Sequence, residues 1–298
     1  MAASFQIAKI YAAPNRAIVK SFLFLFFKKK AFAFVLCSKA KPQALCHSRH
    51  VFDFGARAAQ PGGMQLDILC GLNAVTAVFH RRPDDIARLF YTAQTRHLAG
   101  PFCAELARRK RPYRELPPDE MLKAAGTLHH GGLAAVVKPR DIPFLEGVPD
   151  AKLLLVLDQV SNPHNLGAIA RSAAFFGVRA LLLHETRTSA MPSDAAYRTA
   201  EGALEYLDLY RTRDMARALR GLNPYFRTAA ATLRPQAVAF TTLPRDRPLA
   251  LVLGHEEHGV SAEVLATCRR EIRIEGSGQI QSLNVAQTAA ILLQAFTS

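Results

Sequence analysis

Short apolar runs alternate with amphipathic stretches along the second half of the chain. The runs are "LLLVL" (Leu153–Leu157), "VRALLLH" (Val178–His184) and "LALVLG" (Leu249–Gly254), and "EIRI" (Glu271–Ile274) follows as a further predicted strand. Continuous apolar runs of this length are typical of strands that are buried on both faces of a sheet. Since helical patterns lie between them, we predict an α/β domain with a mostly parallel sheet and crossover helices.

One of these helices is predicted in "SNPHNLGAIARSAAFFGV" (Ser161–Val178). Its apolar residues keep helical spacing, with Asn165 as the predicted N-cap and Gly177 as the predicted C-cap. Arg171 lies off the apolar stripe. The last helix, predicted over Leu283–Phe296, is apolar nearly all round. It is too short to span a membrane, so we expect it to be buried in the core or against another subunit.

A small α/β domain is predicted upstream, over residues 64–140. We expect a helix to start at Pro83 and Asp84 in "PDDIARLFYT", and a second helix over Phe102–Leu116 that Pro112 breaks. Leu133–Pro139 is predicted as a strand. Residues 141–152 are predicted as a linker, and residues 153–298 as the second domain.

The first 63 residues differ in composition from the rest. The whole chain has a net charge of +14, and residues 1–63 carry +9 of it, with no acidic residue before Asp53. The apolar segment Ser21–Cys37 is cut by three lysines into pieces too short for a membrane span. We expect a disordered or non-native extension before a start at Met64, or an organellar transit peptide. The remaining +5 suggests an anionic partner.

The cysteines and histidines do not form a pattern typical of a metal site. None of the five cysteines forms a C-x-x-C pair, which favours reduced thiols in an intracellular, cytoplasmic protein. His255 and His258 have H-x-x-H spacing on a loop without a clear third ligand, so we predict no metal.

Two further polar loops follow apolar runs: "LGHEEHGVS" (Leu253–Ser261) and "IEGSGQIQSLNVAQ" (Ile274–Gln287). The second begins like a dinucleotide fingerprint, but Gln281 replaces its last glycine, which disfavours a nucleotide-dependent dehydrogenase. Ser282 is predicted to cap the last helix, with Asn284 in its first turn.

Together, the three stretches resemble a known family. N-x-G-A-I-x-R-S-A-x-x-F-G, L-G-x-E-x-x-G-x-S and I-x-I-x-G-x-G-x-x-x-S-L-N-V, in this order, resemble the motifs of the SpoU (TrmH-type) RNA ribose methyltransferases of the SPOUT superfamily. This resemblance covers about residues 150–298. Residues 66–140, with "GLNAV" (Gly71–Val75) and "HHGGLAAVV" (His129–Val137), look like the substrate-binding domain of such enzymes, which resembles an RNA-binding ribosomal protein.

The resemblance implies a trefoil knot, a bent S-adenosylmethionine cofactor, methyl transfer to a ribose 2′-hydroxyl of rRNA or tRNA, and homodimerisation through the C-terminal domain. The implied cofactor-binding residues are Leu253, Gly254, Ile274, Gly278 and Leu283. The implied catalytic residues are Arg171, Asn165, Glu256, Ser282 and Asn284.

Each catalytic residue has an expected role. Arg171 would hold an RNA phosphate and stabilise the forming alkoxide, because a guanidinium keeps its proton. Asn165 would position Arg171 or the ribose, and Ser282 and Asn284 would bond the same groups from the opposite side. Glu256 would anchor the second loop or orient Arg171.

Two positions depart from the family pattern: Glu275 replaces a proline, and Ala200 replaces a serine in "RTAEGALEYLDL" (Arg198–Leu209). Two other functions remain open: a non-catalytic RNA-binding protein of the same fold, and methylation of a base nitrogen.

Overall fold

The computed structural model describes residues 66–298 of the chain. The predicted extension over residues 1–63 and the predicted start at Met64 lie outside the described residues. The described part holds two β-sheets, one of four strands and one of seven.

The four-stranded sheet forms the core of the N-terminal part. Its elements, in chain order, are β1 (Asp67–Cys70), α1 (Leu72–Arg81), β2 (Ile86–Tyr91), α2 (Arg96–Arg108), β3 (Tyr113–Glu115), α3 (Pro118–Ala125) and β4 (Leu133–Val137). The strand order is β1-β4-β2-β3. β4 is antiparallel to both neighbours, whereas β2 and β3 are parallel. Every residue of the inner strand β4 is buried.

The helix predicted from Pro83 is wrong. Pro83–Asp85 form a single 3₁₀ turn, and Ile86–Tyr91 continue as β2. A register shift between Ile86 and Arg88 breaks the two-residue alternation that would have marked a strand in the sequence. Pairing with β4 and full burial of Ile86 and Leu89 favour the extended conformation over the local helix signal.

The second predicted helix of this part is displaced rather than absent. The helix predicted over Phe102–Leu116 begins earlier, at Arg96, and ends at Arg108. Pro112 then precedes β3 instead of lying within a helix. Residues 138–152 contain no helix or strand, apart from one isolated bridge between Phe144 and Arg211.

The seven-stranded sheet is parallel throughout. Its strands are β5 (Leu153–Leu157), β6 (Ala180–His184), β7 (Asp208–Thr212), β8 (Arg227–Ala231), β9 (Val238–Ala239), β10 (Leu249–Leu253) and β11 (Arg270–Arg273), in the order β7-β6-β5-β10-β8-β11-β9. Every pairing in it is parallel, as the apolar runs predicted. The predicted trefoil knot stays a prediction.

Helices cover both faces of this sheet. They are α4 (Pro163–Phe175), α5 (Asp194–Ala200), α6 (Met215–Leu222), α7 (Ala262–Leu265) and α8 (Val285–Thr297). Leu155 and Leu251 pack with residues of α4, α5 and α8, while the alternate residues Leu154 and Val252 pack with α6 and α7. Successive side chains of a strand point to opposite faces, so a continuous apolar run is what a sheet covered on both faces requires.

The last helix is buried on one face. α8 packs against α4 and buries Ala289, Leu292 and Leu293. Ile291 on the same helix is 39% exposed. One face of α8 is thus buried within this chain, as expected for an apolar helix. The opposite face leaves Ile291 exposed.

Candidate active site

Two of the three motif loops start side by side at the carboxyl edge of the parallel sheet. β5 and β10 are neighbours in register, with Leu157 opposite Leu253. Because parallel strands end at the same edge, the segments after Leu157 and Leu253 leave the sheet together. This edge is where open α/β sheets bind their ligands.

A tight turn directs Glu256 back towards α4. His255 and Gly259 exchange two backbone hydrogen bonds of 2.9 Å, and Gly259 has φ +69°. Gly254 is buried, and a Cβ at this position would collide with the backbone of Gly259 and Val260. Gly254 is therefore required by the turn itself, whatever it does for a ligand.

The Glu256 carboxylate accepts hydrogen bonds from the start of α4. Oε2 accepts from Ser161 N and Ser161 Oγ, both at 3.1 Å. Oε1 accepts from Asn162 N at 3.1 Å and from Asn165 Nδ2 at 2.8 Å. A carboxylate at a helix N-terminus is also favoured by the helix dipole. Glu256 therefore anchors the second loop to the first, which is one of its two expected roles; the structure does not pair it with Arg171.

These contacts change the acidity of Glu256. Burial alone would raise its pKa, but the hydrogen bonds from Asn165, Ser161 and Asn162 outweigh burial and lower the pKa to about 2. The carboxylate is therefore charged at neutral pH and acts as an acceptor, not as a proton donor.

Asn165 joins the third loop to the same cluster. Asn284 Nδ2 donates to Asn165 Oδ1 at 3.1 Å, while Asn284 Oδ1 accepts from Ala286 N at 2.8 Å and so caps α8. We call Asn165, Glu256 and Asn284 the motif cluster. Its members come from the three loops that the sequence singled out.

Both predicted N-caps are wrong. α4 begins at Pro163, and Asn162 caps it by accepting from His164 N at 2.8 Å. Asn165 lies inside the first turn, where its side chain turns to Glu256 and Asn284 instead. Asn284, not Ser282, caps α8. Each cap lies two or three residues from its predicted place because several capping residues occur together, and only long-range partners select among them.

A buried carboxylate, to which the sequence pattern assigns no role, directly follows β5. Asp158 is fully buried, and it accepts from Ser261 N at 2.8 Å and pairs with His184 Nδ1 at 2.7 Å. Burial would raise the pKa of Asp158, but the bonds from His184 and Ser261 lower it below the usual value. The same hydrogen bond raises the pKa of His184. A charged residue directly after a buried strand was the signal for it in the sequence.

Arg171 lies apart from the motif cluster. It follows Asn165 by six residues on α4, which corresponds to about 240° around the helix and about 9 Å along it. Its guanidinium forms an ion pair with Glu201 Oε1 at 3.0 Å, and its side chain is 56% exposed. Within one chain, the structure therefore does not join Arg171 to Asn165 or Asn284. The sequence pattern did not assign Glu201.

Ser282 is exposed, and no hydrogen bond of its side chain occurs within residues 66–298. Leu253 and Gly254 are buried at the end of β10, and Ile274 is half-buried just after β11. Gly278, with φ +80°, and Leu283 lie in the exposed loop before α8. β10 and β11 flank β8, so the predicted cofactor residues lie at one edge of the sheet.

His255 and His258 lie close together in the loop after β10. The rings of His255 and His258 stack with centroids 4.8 Å apart. No group of three or more His, Cys, Asp or Glu side chains suited to a metal ion occurs in the described part of the chain. Between Leu66 and Ser298, no helix has the length and apolar character needed to cross a bilayer.

The fold is that of an α/β protein whose parallel sheet carries three hydrogen-bonded polar loops at its carboxyl edge. Residues 152–294 match the model of the SpoU rRNA methylase family, and residues 68–143 match that of the RNA 2′-O ribose methyltransferase substrate-binding domain. The chain belongs to the SpoU rRNA methylase family.

Known relatives are similar over most of the described residues. The 23S rRNA (guanosine-2′-O-)-methyltransferase RlmB of Nitrosomonas europaea is 32% identical, over 75% of this chain and 88% of that protein. The uncharacterized tRNA/rRNA methyltransferase YfiF of Escherichia coli O157:H7 is 28% identical, over 75% of this chain but only 65% of its own length.

Solved structures share the fold. The SpoU methyltransferase AviRb from Streptomyces viridochromogenes, in complex with the cofactor AdoMet, superposes with a TM-score of 0.64. The match covers 78% of this chain and 89% of AviRb at 22% identity, which shows a common fold.

Proposed function

We propose that this chain is an S-adenosylmethionine-dependent RNA methyltransferase that methylates a ribose 2′-hydroxyl of rRNA. The proposal rests on one observation: the family model of the substrate-binding domain and that of the SpoU rRNA methylase both match this chain, in that order. The RlmB relative, which is named for guanosine-2′-O methylation of 23S rRNA, favours rRNA over tRNA and makes guanosine the first nucleotide to test. A cytoplasmic location stays a prediction.

The predicted cofactor residues fit an adenosyl group. Ile280 and Leu283, in the loop before α8, are apolar yet 78% and 46% exposed, so they can cover an aromatic base. Among the described residues, no atom lies within 4 Å of a Cβ added at Gly276 or Gly278. A ligand can therefore approach the backbone of this loop closely. We assign Leu253, Gly254, Ile274, Gly278 and Leu283 to this site.

When bound, S-adenosylmethionine would supply the methyl group as an electrophilic carbon on sulfur: the carbon–sulfur bond breaks, the neutral thioether leaves, and the proton of the 2′-hydroxyl passes to solvent. The residues of the chain position the acceptor for an in-line displacement, which accounts for much of the rate of such reactions. Arg171 binds an RNA phosphate and stabilises the 2′-oxygen as negative charge develops on it. A guanidinium offers hydrogen-bond donors and no acceptor, so this role is electrostatic.

The motif cluster gives the loops their relative position. Glu256 ties the second loop to α4 through Ser161, Asn162 and Asn165, and Asn165 holds Asn284. The Glu256 carboxylate is charged and already accepts four hydrogen bonds, which supports an anchoring role. Ser282 precedes Asn284 by two residues and is exposed, so its hydroxyl is available to the ribose or the phosphate.

The separation of Arg171 from Asn284 supports a homodimer. In one chain Arg171 and Asn165, which binds Asn284, project from different sides of α4, so a second copy is needed if Arg171 is to meet the predicted cofactor site. The exposed Ile291 on α8 offers an apolar contact for that copy. We propose a composite site to which both protomers contribute.

The test is methyl transfer from tritiated S-adenosylmethionine to rRNA from cells that lack this protein. The product is mapped by resistance to alkaline cleavage, which a 2′-O-methyl group confers. We expect one protected nucleotide, and at least a hundredfold loss of rate in Arg171→Ala with RNA binding retained. Methylation without alkaline resistance would indicate a base nitrogen instead. Binding without any methylation would indicate a non-catalytic RNA-binding protein.

A further inference from the structure

The segment after α5 connects the two sheets of the described region. Arg82 Nε and Nη2 form two hydrogen bonds with the buried Glu205 carboxylate, at 2.8 and 2.9 Å. Arg140 Nη2 donates to Leu207 O at 2.6 Å. A Cβ at Gly202 would lie 2.8 Å from Asn73 O. The segment Glu201–Leu207 is therefore the surface on which the substrate-binding domain is seated.

Glu201 is the residue of this segment that also touches Arg171. Its backbone is left-handed, with φ 47° and ψ 45°, a region that side chains other than Gly and Asn rarely adopt. Its Oε1 pairs with Arg171 at 3.0 Å, and its Oε2 accepts from Asn73 Nδ2 at 3.2 Å. One carboxylate thus joins α4 of the catalytic domain to α1 of the substrate-binding domain.

A cleft of about 350 Å³ opens beside this carboxylate. Its lining comes from both domains and includes Gly71, Asn73, His129, Gly131, Arg198 and Glu201. Asn73 and His129 belong to the two stretches by which the sequence resembles a substrate-binding domain. RNA held in this cleft would therefore lie beside Glu201, the ion-pair partner of Arg171.

Folding alone gives little reason for this ion pair. The Arg171 and Glu201 side chains are 56% and 47% exposed, and ion pairs between such exposed groups contribute little to stability. An arginine side chain has many rotamers, and a carboxylate on one side of it reduces their number. The ion pair therefore orients the Arg171 guanidinium more than it stabilises the fold.

We propose that Glu201 is a positioning residue: it orients Arg171, and through Asn73 it makes that orientation depend on the seating of the substrate-binding domain. This role rests on the proposed methyl transfer. Glu201 need not touch the ribose or the cofactor, because it acts through Arg171. Because Asn73 binds Glu201, a shift of the substrate-binding domain would move Glu201 and change the orientation of Arg171.

The kinetic test compares Glu201→Gln and Asn73→Ala with Glu146→Gln, an exposed control in the linker. We expect Glu201→Gln to lower kcat about fivefold, with KM for rRNA within about twofold and an unchanged Tm. Asn73→Ala should lower kcat by a smaller factor, and the double variant should be no slower than Glu201→Gln alone. An unchanged or raised kcat, or a change in KM alone, would overturn the proposal.

A second measurement does not need activity. Phenylglyoxal modifies accessible arginines, and peptide mass spectrometry reports the rate at Arg171. Release from Glu201 should speed modification of Arg171 about threefold in Glu201→Gln and less in Asn73→Ala. The rate at Arg187, an exposed arginine between β6 and α5, should not change. Equal rates in all variants would refute the positioning role. Failure of the wild-type chain to methylate rRNA would refute the proposed function, while the modification rates would still decide whether Glu201 holds Arg171.

Discussion

The side-chain amide of Asn284 donates a hydrogen bond to Asn165 Oδ1 at 3.1 Å, although 119 residues separate the two along the chain. Asn165 uses its own amide to donate to Glu256 at 2.8 Å. One buried asparagine therefore holds the loop before α8 and the loop after β10 together. The arrangement of all three motif loops depends on this side chain.

Asn165→Ala removes both contacts of this residue. We expect the free energy of unfolding to fall by about 1–3 kcal/mol, because Glu256 and Asn284 lose a partner in a partly buried place. Urea denaturation at pH 7 measures it. Gln294→Ala, an exposed change on α8, is the control and should stay within about 0.5 kcal/mol of wild type. A similarly small change in Asn165→Ala would show that the cluster does not hold the loops.

Glu256→Gln tests the charge of this carboxylate. The pKa of Glu256 in the folded chain is about 2, below its ordinary value of 4.5. The carboxylate therefore stabilises the fold above pH 4.5, and this contribution is lost as the pH falls from about 4.5 to 2. The variant should lose Tm relative to wild type at pH 7, and the difference should shrink towards pH 3.

The control for this pH series is Glu257→Gln, the exposed neighbour in the same turn. It should follow the wild-type Tm at each pH from 7 to 3. If the Glu256→Gln difference stays constant over this range, the hydrogen bonds do not lower the pKa as the structure indicates.

Gly202→Ala tests the close seating of the substrate-binding domain. Gly202 has φ +89°, and an added Cβ would lie 2.8 Å from Asn73 O and 2.9 Å from Ala77 Cβ. We expect a loss of about 1–3 kcal/mol of stability from backbone strain and overpacking. Gly221→Ala in α6 has open space around the new Cβ and should stabilise by about 0.5–1 kcal/mol. Thermal unfolding of both variants measures these changes. A stabilised Gly202→Ala would show that the substrate-binding domain does not pack closely on Gly202.

Ile291→Glu tests the proposed homodimer. Ile291 is 39% exposed on α8, so a charge there should leave the protomer folded while removing apolar contact with a second copy. We expect analytical ultracentrifugation to show a dimer for the wild type and a monomer for the variant. The adjacent Leu292 is fully buried, and Leu292→Ala should instead cost about 2–5 kcal/mol of stability. A folded, dimeric Ile291→Glu would place the interface elsewhere.

Much of the catalytic domain could be predicted from local pattern. A strand buried on both faces needs an uninterrupted apolar run, and Leu153–Leu157 and Leu249–Leu253 meet that requirement in any surroundings. The three motif loops follow from strand ends and from the family resemblance. Their positions at one edge follow because parallel strands finish together.

Other features were decided by contacts between residues far apart in the chain. Residues 86–91 form a strand because β4 pairs with them, and β4 lies more than 40 residues further along. Asn162 caps α4 while Asn165 is held by Glu256, and Asn284, which Asn165 also holds, caps α8. The sequence determined which residues are polar and where the strands end. Which polar group meets which, including Arg171 with Glu201 instead of Asn284, depends on distances that only the packed chain sets.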